Sequence, residues 1–209
     1  MKTKFLSAQA PNSISHAVDV LKEGGVVAFP TDTVYGLGAL ANMPESIERL
    51  YNIKGREHTK AIAILIADAA QIQEIAEEPN EQVLRLARRF WPGPLTLILR
   101  RNPDLPEILS PNGSIGIRVP DHAVARDLLR AAGPMAVTSA NLSGGENAST
   151  AEQVMEQLKE RIHLILDGGE TPGGVPSTVV DMTGEQPEVL RSGPIGEAEI
   201  LASLAQSQH

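Results

Sequence analysis

Small polar residues and cations recur in this chain where apolar runs begin or end. Thr31, Asp32 and Thr33 follow Val26-Val27-Ala28-Phe29 and Pro30. Lys54, Arg56 and Lys60 stand just before Ala61-Ile62-Ala63-Ile64-Leu65-Ile66. Ser114, Gly116 and Arg118 alternate with Ile115, Ile117 and Val119, so the polar set shares one strand face. Ser139 and Asn141 follow Met135-Ala136-Val137, Ser149 opens a helical pattern, and Arg191 closes the last apolar run. These are cations and hydrogen-bond donors on an otherwise acidic protein. Such a set suits a polyphosphate beside a small carboxylate. Cations would stabilise charge developing on phosphoryl oxygens, and positioning would do the rest.

Other chemistries lack their residues. No paired-carboxylate signature and no Ser-His-Asp order is evident. With no cysteine, disulfides and thiolate metal sites are excluded. The five histidines (16, 58, 122, 163 and 209) are scattered and form no His-Glu-x-x-His pair. A Walker-type Gly-x4-Gly-Lys-Ser/Thr loop is absent, so a nucleotide must be held some other way. Gly36-Leu37-Gly38-Ala39-Leu40-Ala41 fits the dinucleotide fingerprint, but six residues separate it from Phe29, where the glycines should follow the strand directly. The three arginines 85, 88 and 89 read as a solvated helix face, with RNA contact the lesser reading.

The elements that must position these groups follow from periodicity. Ser13–Glu23 reads as an amphipathic helix capped by Asn12 or Ser13 and stopped by Gly24-Gly25. Val26–Phe29 is a buried strand ended by Pro30. The glycines 36 and 38 read as part of a ligand-accommodating opening. Pro44–Ile53 is a helix, and Ala61–Ile66 a central strand. Gln71–Ala76 and Glu81–Phe90 are helices, the second with Val83, Leu84, Ala87 and Phe90 inward. Trp91–Pro94 turns into strand Leu95–Leu99. Ser114–Val119 is a strand, and Asp121 caps a helix to Ala132 with Val124, Leu128 and Leu129 inward. Met135–Val137 is a short strand. Thr150 and Gln153 form a capping box for a helix with Val154, Leu158 and Ile162 inward. Leu164–Asp167, Ser177–Asp181 and Glu188–Arg191 are strands, and Ile195–Leu204 a terminal helix. Strands both alternate with helices and pair in sequence, which gives one α/β domain with a mixed sheet.

The 209 residues are 42% hydrophobic but only 3% aromatic, so the core is aliphatic. A net charge of −8 argues against a general nucleic-acid coat protein. The N-terminus lacks a signal-peptide pattern, and the central apolar run is far short of a membrane span. A cytoplasmic protein without membrane contact is expected.

Pro30-Thr31-Asp32-Thr33-Val34-Tyr35-Gly36-Leu37, Lys54-Gly55-Arg56, Ile117-Arg118-Val119-Pro120, Ser139-Ala140-Asn141-Leu142-Ser143-Gly144 and Ser177-Thr178-Val179-Val180-Asp181, in that order, resemble the YrdC/TsaC family. The likeness runs from about residue 13 to 191, and Lys-x-Arg with Ser-x-Asn is the family signature. The resemblance implies a twisted sheet around a large cationic cavity. It also implies an L-threonylcarbamoyladenylate synthase that joins L-threonine, bicarbonate and ATP and releases pyrophosphate. The product would serve threonylcarbamoyladenosine modification of tRNA. By the same resemblance Thr33, Arg118 and Ser139 hold threonine. Arg56, Lys60, Ser114, Asn141, Ser149 and Arg191 contact ATP, Lys54 and Arg56 are the catalytic cations, and Mg²⁺ accompanies the nucleotide. Implied partners are the small-molecule substrates, the tRNA threonylcarbamoyl transferase machinery and, as a further expectation, RNA itself. The chain departs from the family at Glu57, where a proline is usual, at Lys60-Ala61, where Asn-Pro is common, and at Leu65, where many members carry histidine. It reads as one domain, 1–209, without the second C-terminal domain of longer members. Two other readings compete: a non-catalytic RNA-binding module, and a paralogue running different carbamoyl or acyl-adenylate chemistry.

Overall fold

The computed structural model describes residues 2–205. Its elements are β1 (Lys4–Ser7), α1 (Ser13–Lys22), β2 (Val27–Phe29), β3 (Gly36–Leu40), α2 (Pro44–Lys54), β4 (Ala63–Leu65), α3 (Ile72–Ile75), α4 (Glu81–Phe90), β5 (Leu95–Arg100), β6 (Ser114–Arg118), α5 (Ala123–Ala132), β7 (Met135–Ser139), α6 (Ala151–Leu158), β8 (Leu164–Asp167), β9 (Thr178–Asp181), β10 (Glu188–Arg191) and α7 (Glu197–Ala205). The ten strands form one mixed sheet in the order β1-β8-β2-β3-β7-β4-β6-β5-β9-β10. The pair β2 and β3 is antiparallel, as is β3 with β7, whereas β4 pairs parallel with β6 and β5 with β9.

Apolar groups cover both faces of the central strands, which is why those strands read as continuous apolar runs. Ala28, Leu37, Ile64, Ile117, Ala136 and Ile165 point into the larger core with α2, α4 and α6. The alternate residues Val27, Phe29, Leu65, Met135, Val137 and Leu164 meet α1 and α5 through Ala17, Leu21, Ala125 and Leu128. The two helices pack on each other over the β1–β7 half of that face. Among the described residues this cluster includes none from β6, β5, β9 or β10, and the asymmetry makes room for a site.

Several expectations need correction. The edge strand β1 was not expected, and β3 occupies the stretch read as a glycine-rich opening. Gly38 serves packing, since a Cβ there would come within 2.7 Å of Met135, whereas Gly36, where a Cβ would lie 2.9 Å from Val137, also borders the cavity described below, as expected of an opening. The dinucleotide reading falls with this, because those glycines are strand, not a turn into a helix. Leu86 rather than Leu84 is buried in α4, and Ala125 is the fully buried residue near the start of α5. His122, not Asp121, holds the position before α5, and Asn12 the position before α1; neither caps with its side chain. Thr150 does cap α6, but Gln153 reaches back to the Ser149 N–H at 2.8 Å, one residue earlier than a capping box requires.

Candidate active site

Beside that cluster, the same face borders a cavity of about 350 Å³. Same-face residues of the strands make its floor and walls: Ala63 and Leu65, Thr96 and Ile98, Gly116 and Arg118, Val137 and Ser139, Val179 and Arg191. Thr31, Thr33, Tyr35, Gly36, Arg56, Asn147 and Ser177 are also among the lining residues. Gly116 keeps the floor open, since a Cβ there would lie 3.0 Å from the Thr96 methyl and 3.4 Å from Ala63.

Arg118 is held rigidly. Only 6% of the residue is exposed, and its Nε donates to the Gly93 carbonyl at 3.0 Å. One terminal nitrogen donates to Thr33 Oγ1 at 3.0 Å, and the other pairs with Asp32 at 2.5 Å. Thr31 donates its hydroxyl to the Val34 carbonyl, so the Thr33 hydroxyl must donate to Thr31 and keep a lone pair for Arg118. Burial lowers the Arg118 pKa, and Asp32 opposes that shift. Guanidinium protons beyond those three bonds remain for a planar anion such as a carboxylate.

Lys54-Gly55-Arg56 is split by its glycine. Gly55 ends α2 in the left-handed region at φ 61°, where a residue without Cβ is favoured. Lys54 therefore stays under α2 while Arg56 leaves toward the cavity. Arg56 is braced by the Lys60 and Ala61 carbonyls at 3.1 and 2.8 Å. Lys54 is buried and does not line the cavity. Its ammonium donates to the Ser139 carbonyl at 2.6 Å, the Asn141 carbonyl at 2.7 Å and Asn141 Oδ1 at 3.1 Å. Burial, aided by the Arg56 charge, pushes its pKa down to about 8. Arg191, on the edge strand, donates through Nε to the Ser177 carbonyl at 3.0 Å and through a terminal nitrogen to Ser177 Oγ at 3.1 Å. Partial burial lowers its pKa. Ser177 Oγ is 2.8 Å from Thr96 Oγ1.

Of the expected site residues, Thr33, Arg56, Arg118, Ser139 and Arg191 converge on this cavity. Lys60, Ser114, Asn141 and Ser149 are not among its lining. Lys60 is exposed and 3.5 Å from Glu57, Ser114 bonds Asn112, and Ser149 bonds Gln153. Sequence reasoning did not single out Thr96, Tyr35 or Asn147. Thr96 had a signal, as the one hydroxyl within Leu95–Leu99; Tyr35 was hidden because its hydroxyl partner, the Gly169 carbonyl, is 134 residues away. Arg88 and Arg89 of α4 are exposed and pair with Glu81 and Glu199 at the surface, a solvated face as expected, whereas Arg85 donates to the Leu204 carbonyl. No described helix is long and apolar enough to cross a membrane. Among the described residues no cluster of three His, Asp or Glu could hold a metal, and no carboxylate lines the cavity, so the residues present do not fit a protein-held Mg²⁺.

Fold and cavity define an α/β protein with an arginine-lined hollow set against a mixed sheet. A family model for Sua5, YciO and YrdC proteins, described as "Telomere recombination", matches residues 19–193, and the chain belongs to that family. It is 42% identical over 205 residues to a threonylcarbamoyl-AMP synthase of Bacillus subtilis, covering 97% of this chain and 59% of that protein. P. abyssi Sua5 solved with L-threonine superposes with a TM-score of 0.92 at 36% identity, over 98% of this chain and 61% of that one. E. coli YciO gives a TM-score of 0.85 at 30% identity, over 95% and 98%. The chain thus spans about three-fifths of the length of the first two.

Proposed function

We propose that this chain forms L-threonylcarbamoyladenylate and pyrophosphate from L-threonine, bicarbonate and ATP. The observation that carries the reading is the convergence of Arg56, Arg118 and Arg191 on one cavity that holds hydroxyls and no lining carboxylate. Relatives named for this activity and a neighbour solved with L-threonine support it.

Threonine takes the deep end. Arg118 receives its carboxylate, with Thr33 and Ser139 beside it. The triphosphate lies between Arg56 and Arg191. The cavity is near the lower end of the ~300–1,000 Å³ usual for small-molecule sites, so the nucleotide extends over the rim toward Lys60, Ser114 and Ser149. Threonine's amine attacks bicarbonate-derived CO₂ and loses a proton to give a carbamate. A carbamate oxygen then attacks the α-phosphorus, and the bond to the β-phosphate oxygen breaks, releasing pyrophosphate. Arg56 and Arg191 stabilise the charge that grows on the departing group, already aimed by their carbonyl braces. Mg²⁺ enters on the phosphates of ATP. The product then passes to the tRNA threonylcarbamoyl transfer machinery.

The test is pyrophosphate release from ATP by the purified chain. Release that needs both threonine and bicarbonate supports the reading. Release with another amino acid favours a paralogue, and salt-sensitive RNA retention without turnover favours an RNA-binding module.

A further inference from the structure

We propose that Lys54 is a positioning residue rather than a phosphate ligand, its ammonium clamping the turn that carries Ser139 and Asn141 to the end of α2. An ammonium has three protons and no acceptor. All three are taken: by the Ser139 carbonyl, the Asn141 carbonyl and Asn141 Oδ1. None is left for a ligand, and only 4% of the residue is exposed.

The other side of the clamp is equally full. Asn141 Oδ1 also accepts from the Ser139 hydroxyl at 2.5 Å. Its amide donates to the Leu142 and Gly145 carbonyls at 3.0 and 2.7 Å. The Ser143 N–H returns to the Lys54 carbonyl at 3.0 Å. Lysine and asparagine of the two signature motifs are therefore one internal network joining α2 to the end of β7, across 87 residues of chain. Burying an ammonium among neutral oxygens is unfavourable unless every proton is used, so the network holds the turn in one arrangement. The cavity receives the result through Ser139, which lines it. Arg56 is the member of Lys-x-Arg left facing a ligand.

The kinetic part of the test rests on the function proposed above; the structural part does not. In ligand-free Lys54→Met, amide exchange at Asn141, Ser143 and Gly145 should speed up at least tenfold over wild type. Unchanged protection would overturn the clamp whether or not the chain turns over. If the variant does not fold, the wild-type side chain answers the same question by NMR. Its Nζ protons should exchange slowly without ligand and keep their shifts when inorganic pyrophosphate saturates the protein. Fast exchange, or shifts that follow pyrophosphate, would mean a phosphate ligand. In turnover, Lys54→Met should raise the KM for threonine at least tenfold while the KM for ATP changes less than threefold. An equal or larger rise for ATP, or no change in either, would also overturn the assignment.

Discussion

Asp32 and Arg118 form the most consequential pair in the site, and removing one partner tests how the cavity is held. Their side chains are 12% and 7% exposed and meet at 2.5 Å. Breaking such a buried pair costs about 3–5 kcal/mol, because the remaining charge stays buried. In Asp32→Ala the Gly93 carbonyl and Thr33 Oγ1 still accept from the guanidinium. The expected loss is therefore near the lower bound, about 3 kcal/mol. At about 2–4 °C per kcal/mol for a chain of this size, the melting temperature should fall by about 6–12 °C. Differential scanning calorimetry measures it directly. The double variant Asp32→Leu/Arg118→Met should recover much of that stability, since no charge is left uncompensated, yet bind no threonine. A single variant melting within 2 °C of wild type, or a double variant less stable than the single one, would show that the pair does not hold the site.

Three further outcomes are expected. Arg56→Ala removes one electrostatic contact to the departing pyrophosphate, worth about 2–4 kcal/mol, so turnover followed by pyrophosphate release should fall between about 30-fold and 1,000-fold; wild-type turnover would remove Arg56 from the site. Gly116→Val projects carbon into the floor beside Thr96 and Ala63; calorimetric titration should show threonine binding weakened at least tenfold, against a stability loss of about 1–3 kcal/mol. Lys54, pushed down to about 8 from 10.5, binds its proton less tightly in the folded chain than in the unfolded one. Between those values the unfolded state holds more protons, so stability should rise with pH. Urea unfolding at pH 7 and 9.5 should show wild type gaining relative to Lys54→Met, and no relative gain would contradict the shift.

Local patterns carried most of the fold. The helical spacing of Ile47, Leu50 and Tyr51 and the alternation of Ile115, Ile117 and Val119 each marked an element and its buried face. Strand β1 left no such mark, because Lys4, Phe5 and Ser7 are exposed on an edge. Strand β3 was disguised by Gly36 and Gly38, whose small size answers to Phe29, Met135 and Val137, contacts that exist only after the sheet assembles. The site divides in the same way. The alternation placed Arg118 on one strand face with Ser114 and Gly116, but Asp32, 86 residues earlier, could be paired with it only by the fold. Lys54 and Arg56 looked equivalent as neighbouring cations. What separates them is the left-handed turn at Gly55, which sends one beneath α2 and the other to the cavity wall.

The proposed function requires one hollow to seat a nucleotide's phosphates beside an amino acid. A crystal structure of the chain with L-threonine and a non-hydrolysable ATP analogue tests it most directly. The threonine carboxylate should lie on Arg118 and the phosphates between Arg56 and Arg191. Phosphates bound away from these arginines, or threonine outside the Thr33–Ser139 end of the cavity, would contradict it.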